Sequence, residues 1–449
     1  MTVDTYSYRR GGDRAPARRA QRLPRLLAGL MDGQPTGLHQ HERSYGPLPL
    51  PPPGANERVT RARASRLIDV VERSGLTGRG GAGFPTGRKL RSVAAGQGPA
   101  AVLANGSEGE PASRKDRLLL TRMPHLVMDG IAMAAFAVGA NEAFLAVHDE
   151  DPRLIASLEA AAEARDVAGI DPVPIKIFGI EGRYVSSEQT AIVQAINGGA
   201  GLPTFTPPRT HEKGIAGRPT LVNNAETLAH LALIARFGDS WFREAGIPSA
   251  PGSTLVTVSG AVSRPGVYEI ELGTPIGDVI MLAGGPTERP QAVLTGGYFG
   301  SWIPAEVAWS VPLCHAGLRE IGAAMGAGIM VVLPESACGL AETARVVRYL
   351  ADETAGQCGP CVFGLPALAD ALADLAYHGG RGRAVDNIMD LIPLIEGRGA
   401  CRHPDGATQL AASALAAFAE DAQWHNKSGP CFGVRHPSLL PIPGDVEYW

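Results

Sequence analysis

Residues 354–364 read TAGQCGPCVFG, with Cys358 and Cys361 two residues apart in a turn rich in glycine and proline. Two thiolates at this spacing can grip one metal centre, but tetrahedral and cubane sites ordinarily take four ligands. Cys401 is a further thiol between two helical stretches. A second kind of chemistry is suggested by GRGGAGFPTGRK, residues 78–89, with glycines at 78, 80, 81, 83 and 87 and a lysine at 89. Glycine lets backbone amides come close to a phosphate and take positive φ. The following TGRKLRSV can begin a helix whose N-terminus faces the anion. Three polar groups follow further strand-like runs: Asn105, Ser107, Glu108 and Glu110 in NGSEGEP; Tyr184, Glu188 and Gln189 in RYVSSEQTA; Asn223, Asn224 and Glu226 in RPTLVNNAETLA. Asparagine offers donor and acceptor together, which suits the edge of a flavin or a base.

The elements that must position these groups follow a readable order. AAVLANG, AFLAVHD and PVPIKIFGI read as strands, and HLVMDGIAMAAFAVGA, DPRLIASLEAAAEARD and SSEQTAIVQAINGG read as helices. This alternation predicts a mostly parallel sheet covered by helices, with ligands at the strand ends. From Thr254, two β-rich runs joined at Arg264-Pro265-Gly266 and followed by PIGDVIMLAGG suggest a small β-grasp-like module. From Cys338 the pattern is helical, and LAETARVVRYLADE and LPALADALADLAY each carry one apolar face. A helical bundle would hold Cys358 and Cys361 at one inter-helix loop and Cys401 at another.

Bulk properties narrow the class. The 449 residues exceed one ordinary core, and 45% hydrophobic with 19% charged residues describes a globular chain. A net charge of −4 gives no reason to expect nucleic acid. Six unevenly spaced cysteines point to metal or redox chemistry in a reducing compartment rather than to a disulfide framework. No uninterrupted apolar run approaches the roughly 20 residues of a membrane span, so direct membrane insertion is not expected. The arginine-rich start and GPLPLPPPGAN read as a flexible basic arm and linker over residues 1–56. Residues 57–248, 249–330, 331–425 and 426–449 are then expected to form the sheet domain, the β-grasp module, the bundle and an irregular tail.

GRGGAGFPTGRK, NGSEGEP with RKDR, SEQTA, GRPTLVNNAETLA and CGPC with a later cysteine occur here in one order. That order resembles the NADH-binding, FMN- and iron-sulfur-containing flavoprotein subunit of respiratory complex I, with its relatives in NAD-linked hydrogenases and formate dehydrogenases. The resemblance spans roughly residues 61–421. It implies an α/β fold: a Rossmann-like FMN-binding domain, a β-grasp (SLBB-type) domain and a C-terminal helical [4Fe-4S] bundle. It implies that Gly78, Arg79, Gly80, Gly81, Gly83 and Lys89 line the FMN and dinucleotide pocket. Asn105, Ser107, Glu108, Tyr184, Glu188, Gln189, Asn223 and Asn224 would surround the flavin, Phe84 would lie by the NADH base, and Glu110 would reach its ribose. It further implies hydride transfer from NADH to FMN, a redox partner that is ferredoxin-like or another subunit of an electron-transfer complex, and a cytoplasmic, peripheral setting.

The chain departs from the pattern at two places. The family's Cys-Gly-x-Cys-x-Pro-Cys has lost its first cysteine, and Ala355 stands there. Cys358, Cys361 and Cys401 remain, with Cys431 or His403 as candidates for the fourth ligand; Cys338 is a further possibility at a place where a helix-packing cysteine would be ordinary, and Cys314 reads as a packing residue. On the nucleotide side, Ser107 and Gln189 replace carboxylates, Leu90 and Ser92 replace aromatics, and Thr206 and Arg209 replace a lysine and an aromatic. NADH use is therefore left open beside FMN binding, as are a flavoprotein that bypasses NADH and a non-catalytic docking subunit.

Overall fold

The computed structural model describes residues 23–30, 35–52, 54–379 and 382–444. The first helix, α1 (Leu38–Tyr45), is followed by α2 (Glu57–Ser74), capped by the Asn56 side chain and stopped by Gly75 in the left-handed region. After the glycine loop come α3 (Thr86–Ala94) and β1 (Ala100–Asn105), then α4 (Lys115–Arg122) and α5 (Pro124–Val138). The unit continues through β2 (Ala140–His148), α6 (Pro152–Val167), β3 (Ile175–Ile180), α7 (Gln189–Ile196), β4 (Thr220–Asn224) and α8 (Ala225–Arg243), which kinks at Gly238. The four strands are all parallel, in the order β3-β2-β1-β4. Helix α5 is buried along almost its whole length, between the sheet and α8. Its Gly130 permits that crossing, because a Cβ there would stand 2.0 Å from the Leu228 carbonyl oxygen.

A short hairpin, β5 (Gly246–Ile247) with β6 (Ala250–Pro251), leads into the second unit. Here β7 (Ser253–Gly260), β8 (Gly266–Glu271), β9 (Pro290–Thr295), β10 (Ser301–Pro304) and β11 (Ile329–Pro334) form a mixed sheet in the order β10-β9-β11-β7-β8. Helix α9 (Ile276–Leu282) packs Ile276, Val279 and Ile280 into a core shared with Val256, Val258, Met330 and Val332. Two short helices, α10 (Ala305–Ala308) and α11 (His315–Glu320), close its margin.

The third unit is helical: α12 (Gly339–Asp352), α13 (Leu365–Ala373), α14 (Ala384–Ile395), α15 (His403–Ala417) and α16 (Ala419–Ser428). Residues Pro360–His378 form a helical run long and apolar enough to cross a membrane by composition alone. Leu365, Leu368, Leu372 and Leu375 of that run are fully enclosed in the bundle core, as expected of the central helix of a packed bundle.

The expected flexible arm is corrected where it is described. Residues 1–22 lie outside the described residues. Beyond them the backbone amides of Arg25, Leu26 and Leu27 all donate to the Glu269 carboxylate, at 2.9, 3.0 and 3.2 Å. Leu26 is fully buried and the Arg25 guanidinium lies 4.1 Å over the Trp241 ring. Helix α1 docks on α5 through His41 Nε2, 2.6 Å from Asp129 Oδ2. A proline-rich stretch suggests a detached linker when read locally, but here Leu48 and Leu50 pack against the first core and the Arg236 guanidinium donates to the Gly46 carbonyl at 3.2 Å.

Candidate functional site

In the parallel sheet the chain runs from β1 out to β2 and β3, then returns to β4 on the other side of β1. The crevice between the carboxyl ends of β1 and β4 is therefore the topological switch point, where open α/β sheets bind ligands. Register pairs Ala104 with Asn223 and Asn105 with Asn224, so the asparagines stand side by side at its mouth. Asn105 is held by donating from Nδ2 to the Ser187 carbonyl at 2.9 Å, and it accepts from the Ser107 hydroxyl at 2.7 Å. Asn223 is buried, and its Nδ2 has no partner among the described residues. A buried amide left this way costs about 1–3 kcal/mol, which an acceptor on a bound molecule would relieve.

The glycine loop lies across the same crevice. Its neck is closed by the Gly78 amide donating to the Phe84 carbonyl at 2.9 Å. Gly80 sits on Asn224, where a Cβ would come within 3.1 Å of the Asn224 Cβ. Gly81, at φ 118°, pairs with Gly326 of the second unit. Gly83, at φ 62°, has room only for hydrogen, because a Cβ would stand 2.5 Å from His315 Nε2. The missing side chain at Gly83 thus accommodates the His315 ring. Lys89 reaches under the loop to donate to the Val222 carbonyl at 2.7 Å, and burial lowers its ammonium pKa to about 8. Phe84 is half exposed beside the loop.

Several residues expected around the pocket do other work. Arg79 turns inward: its Nη1 donates to Thr77, its Nη2 to the Ser253 carbonyl, and its backbone amide to the Thr227 hydroxyl. Glu108 accepts from the Asp116 and Arg117 amides at 2.9 and 2.8 Å and so caps α4. Glu188 caps α7 through the Thr190 and Ala191 amides. Glu110 accepts from the Tyr184 hydroxyl at 2.9 Å and the Tyr298 amide at 3.1 Å, both at Oε2, while its buried Oε1 has no partner among the described residues. Burial raises its carboxyl to about 7 even against those two donors. Gln189, Thr206 and Arg209 are exposed, Ser92 likewise, while Leu90 is wholly in the core.

Behind the crevice is a charge network that the motif reading passed over. Lys115 Nζ lies 2.9 Å from Asp116 Oδ1, 3.1 Å from Glu226 Oε2 and 3.2 Å from Asn224 Oδ1. Asn224 Nδ2 donates to Asp116 Oδ2 at 2.6 Å. Glu226 also accepts from the Leu255 amide and the Thr254 hydroxyl, both at 2.9 Å, which ties the first unit to the second. Burial opposes the Glu226 charge, but Lys115, His230 and Arg79 outweigh it and hold its pKa near 2. Burial pushes Asp116 up to about 6 despite Lys115. The RKDR string carried the signal, since a lysine beside an aspartate is buried only when paired.

The cysteines divide into two groups. Cys358, Cys361 and Cys401 gather at the C-terminal end of α12, and each thiol is electrostatically coupled to a neighbour in the set. Burial opposes ionisation of Cys358, but the Ala400 and Cys361 amides donate to its sulfur and hold its pKa below the usual thiol range. Burial and the neighbouring Cys358 raise Cys361. His403 stands at the same end: its Nε2 lies 2.7 Å from the Leu350 carbonyl, and its buried Nδ1 has no partner among the described residues. Cys431 does not join them. Its sulfur meets Cys338 and His425 at the N-terminal end of α12, and a helix of that length spans about 21 Å. Cys338, from sequence a further possibility for the fourth ligand, belongs to that second group, while Cys314 is buried and accepts from the Gly317 amide, as a packing and capping thiol would.

An aromatic junction joins the crevice to the first cysteine group. The Tyr184 ring lies 4.9 Å from Phe299, 5.6 Å from His403 and 6.0 Å from Tyr349 by centroids. Cys401 feels the charge of Glu188, four residues beyond Tyr184.

Three family profiles match in this order: the Nuo51 FMN-binding domain at residues 71–233, the SLBB domain at 255–297, and the NADH-ubiquinone oxidoreductase-F iron-sulfur binding region at 335–425. The chain is 32% identical over 377 residues to the F subunit of NADH-quinone oxidoreductase of Streptomyces coelicolor, covering 81% of this chain and 84% of that one. It is 32% identical to the F 2 subunit of NADH-quinone oxidoreductase of Rhizobium meliloti, covering 81% and 90%. Among solved structures, NAD+-reducing [NiFe]-hydrogenase in the H2-reduced state superposes with a TM-score of 0.75 at 30% identity. That match covers 82% of this chain and 64% of the hydrogenase chain, so this chain spans just under two thirds of it.

Proposed function

From the premise that this chain belongs to the family of NADH-quinone oxidoreductase F subunits, we propose that it is an FMN- and iron-sulfur-dependent oxidoreductase component that takes electrons from NADH and delivers them to a partner protein of the same complex. Bound at these residues, FMN would supply two-electron hydride chemistry and an iron-sulfur cluster would supply one-electron chemistry. The chain's own residues bind and orient. The glycine-loop amides and Lys89 would hold the phosphate, and Asn105 and Asn223 would meet the flavin edge. Asn223 Nδ2 supports the fit, being a buried donor with no acceptor among the described residues. Cys358, Cys361 and Cys401 would hold the cluster, and N–H donors to the sulfurs are of the kind that set its potential. His403 is our candidate for the fourth ligand, because Nε2 is committed to Leu350 and leaves Nδ1 with an unshared lone pair. The setting we propose is cytoplasmic and peripheral to a complex.

The observation that carries this reading is the continuity between the two centres: the Ser187 carbonyl holds Asn105 at the crevice, and Tyr184, three residues earlier, packs on His403 at the cysteine end of the bundle. The test is the absorption spectrum of anaerobically purified protein before and after NADH. Flavin bands and a broad iron-sulfur shoulder that bleach with NADH support it. A second reading, a flavoprotein that exchanges electrons with a ferredoxin-like partner and not with NADH, is favoured by Gln189, which is exposed and uncharged where relatives of this family carry a carboxylate. Flavin that is present yet unbleached by NADH would select it. Absence of both chromophores would leave only a docking role.

A further inference from the structure

Cys338 stands immediately before α12, His425 lies in α16, and Cys431 follows α16 at the start of the tail. Their ligand atoms all lie within 4.8 Å of one another. Cys338 and His425 are buried at 2% and 0% exposure, and Cys431 is half-buried. We propose that these three residues form a second metal site, separate from the cluster cysteines, that binds one zinc-class divalent cation and clasps the tail to the bundle.

The tautomer of His425 supports this. Its Nδ1 lies 3.2 Å from the Leu375 carbonyl, which can only accept, so Nδ1 carries the proton. Its Nε2 is then the accepting nitrogen: it takes the Cys431 amide N–H at 3.0 Å and lies 3.8 Å from Cys338 Sγ, and an ion bound there would displace that amide. A metal-bound imidazole is commonly oriented in this way, with the remote N–H on a backbone carbonyl and the other nitrogen facing the ion. The spacing also agrees. With bonds of about 2.3 Å to sulfur and about 2.0–2.1 Å to nitrogen, tetrahedral zinc separates its sulfur and nitrogen ligands by about 3.6 Å, and the Cys338–His425 separation is 3.8 Å. Two thiolates and one imidazole select zinc over magnesium or calcium. The protons of both thiols leave as the ion binds. Cys431 faces solvent in part, which leaves a fourth position for water. The three ligands join the start of α12, the last turn of α16 and the tail, whose Leu440 is buried and whose Leu439 and Leu440 amides donate to Glu342.

This inference does not rest on the proposed electron transfer, and its test separates the two. The full chain is purified under reducing, anaerobic conditions, incubated with zinc chloride, desalted, and assayed for zinc and iron by elemental mass spectrometry. Wild type and Cys361→Ser are expected to hold about one zinc per chain. Cys431→Ser and His425→Gln should lose at least tenfold in zinc content with iron unchanged, and Cys431→Asp, which keeps a ligand, should regain part of the zinc. Cobalt in place of zinc should give thiolate charge-transfer absorption in wild type and not in Cys431→Ser. Zinc absent from wild type, or undiminished in Cys431→Ser, overturns the site. So does iron falling in Cys431→Ser, which would return Cys431 to the cluster, or a Cys338–Cys431 disulfide in peptides from the unreduced chain.

Discussion

Substituting Asn223 by leucine separates a binding role from a structural one, because the two predict opposite signs. The Asn223 Nδ2 is buried with no acceptor among the described residues, a situation that costs about 1–3 kcal/mol. Leucine has nearly the same shape and no donor, so Asn223→Leu should leave the ligand-free protein as stable as wild type or slightly more so. The bound state reverses the balance. If FMN supplies the missing acceptor, losing the donor weakens binding by the same about 1–3 kcal/mol, about fivefold to 140-fold in Kd. The measurement is quenching of flavin fluorescence on titrating deflavinated protein, alongside thermal unfolding of the same samples without flavin. Weaker binding with an unchanged or raised melting temperature is expected. If affinity stays within twofold of wild type, or if the ligand-free variant melts lower, Asn223 belongs to the packing of β4 and not to the pocket.

Glu226→Ala should destabilise the fold by about 3–5 kcal/mol in denaturant unfolding, since it removes the carboxylate that faces the buried Arg79 and leaves the buried Lys115 with Asp116 as its one paired carboxylate; a cost below 1 kcal/mol would show that the network is not closed as described. Burial raises the Glu110 carboxyl from 4.5 to about 7. The folded state therefore holds its proton longer than the unfolded chain, and the associated stability is complete below pH 4.5 and lost as pH rises through 7. Glu110→Gln should flatten that part of the stability–pH curve, and an unchanged slope between pH 4.5 and 7 would refute the assignment. Gly83→Ala should lower stability and flavin retention through its positive φ and the His315 contact; His315→Ala in the same chain should recover part of the loss, and no recovery would place the clash elsewhere. Cys361→Ser should lower iron content severalfold, read by elemental analysis, and full iron in that variant would remove the cluster assignment.

Much of the fold is legible in the residues because burial leaves a period. The runs at 100–105, 140–148 and 175–180 are apolar strands between helical patterns, and they form neighbouring parallel strands. The asparagines of β1 and β4 are legible as strand-end groups for the same reason. Carboxylates are harder to read. Glu108 and Glu188 look like ligand-facing acids, yet Glu108 gives both oxygens to amides at the start of α4, and Glu188 gives Oε2 to those of α7. A glutamate just before a helix fits either role until its oxygens are located. Arg79 sits within the glycine motif and faces away from it, because Glu226, distant in sequence, draws it inward. The same limit hid the second cysteine group. No local spacing links Cys338 to His425 and Cys431, and only the packing of α16 across the bundle brings them together.

The backbone pairing of Gly81 with Gly326 means that one wall of the crevice is not built until the second unit has folded against it. Contacts so far apart along the chain close slowly, after local helices and hairpins have formed. A nascent chain released before residue 326 would own every strand of the parallel sheet and still lack a finished cradle. Competence to retain a nucleotide should therefore emerge late in synthesis, which makes cofactor capture a report on assembly of the whole polypeptide rather than of its first half.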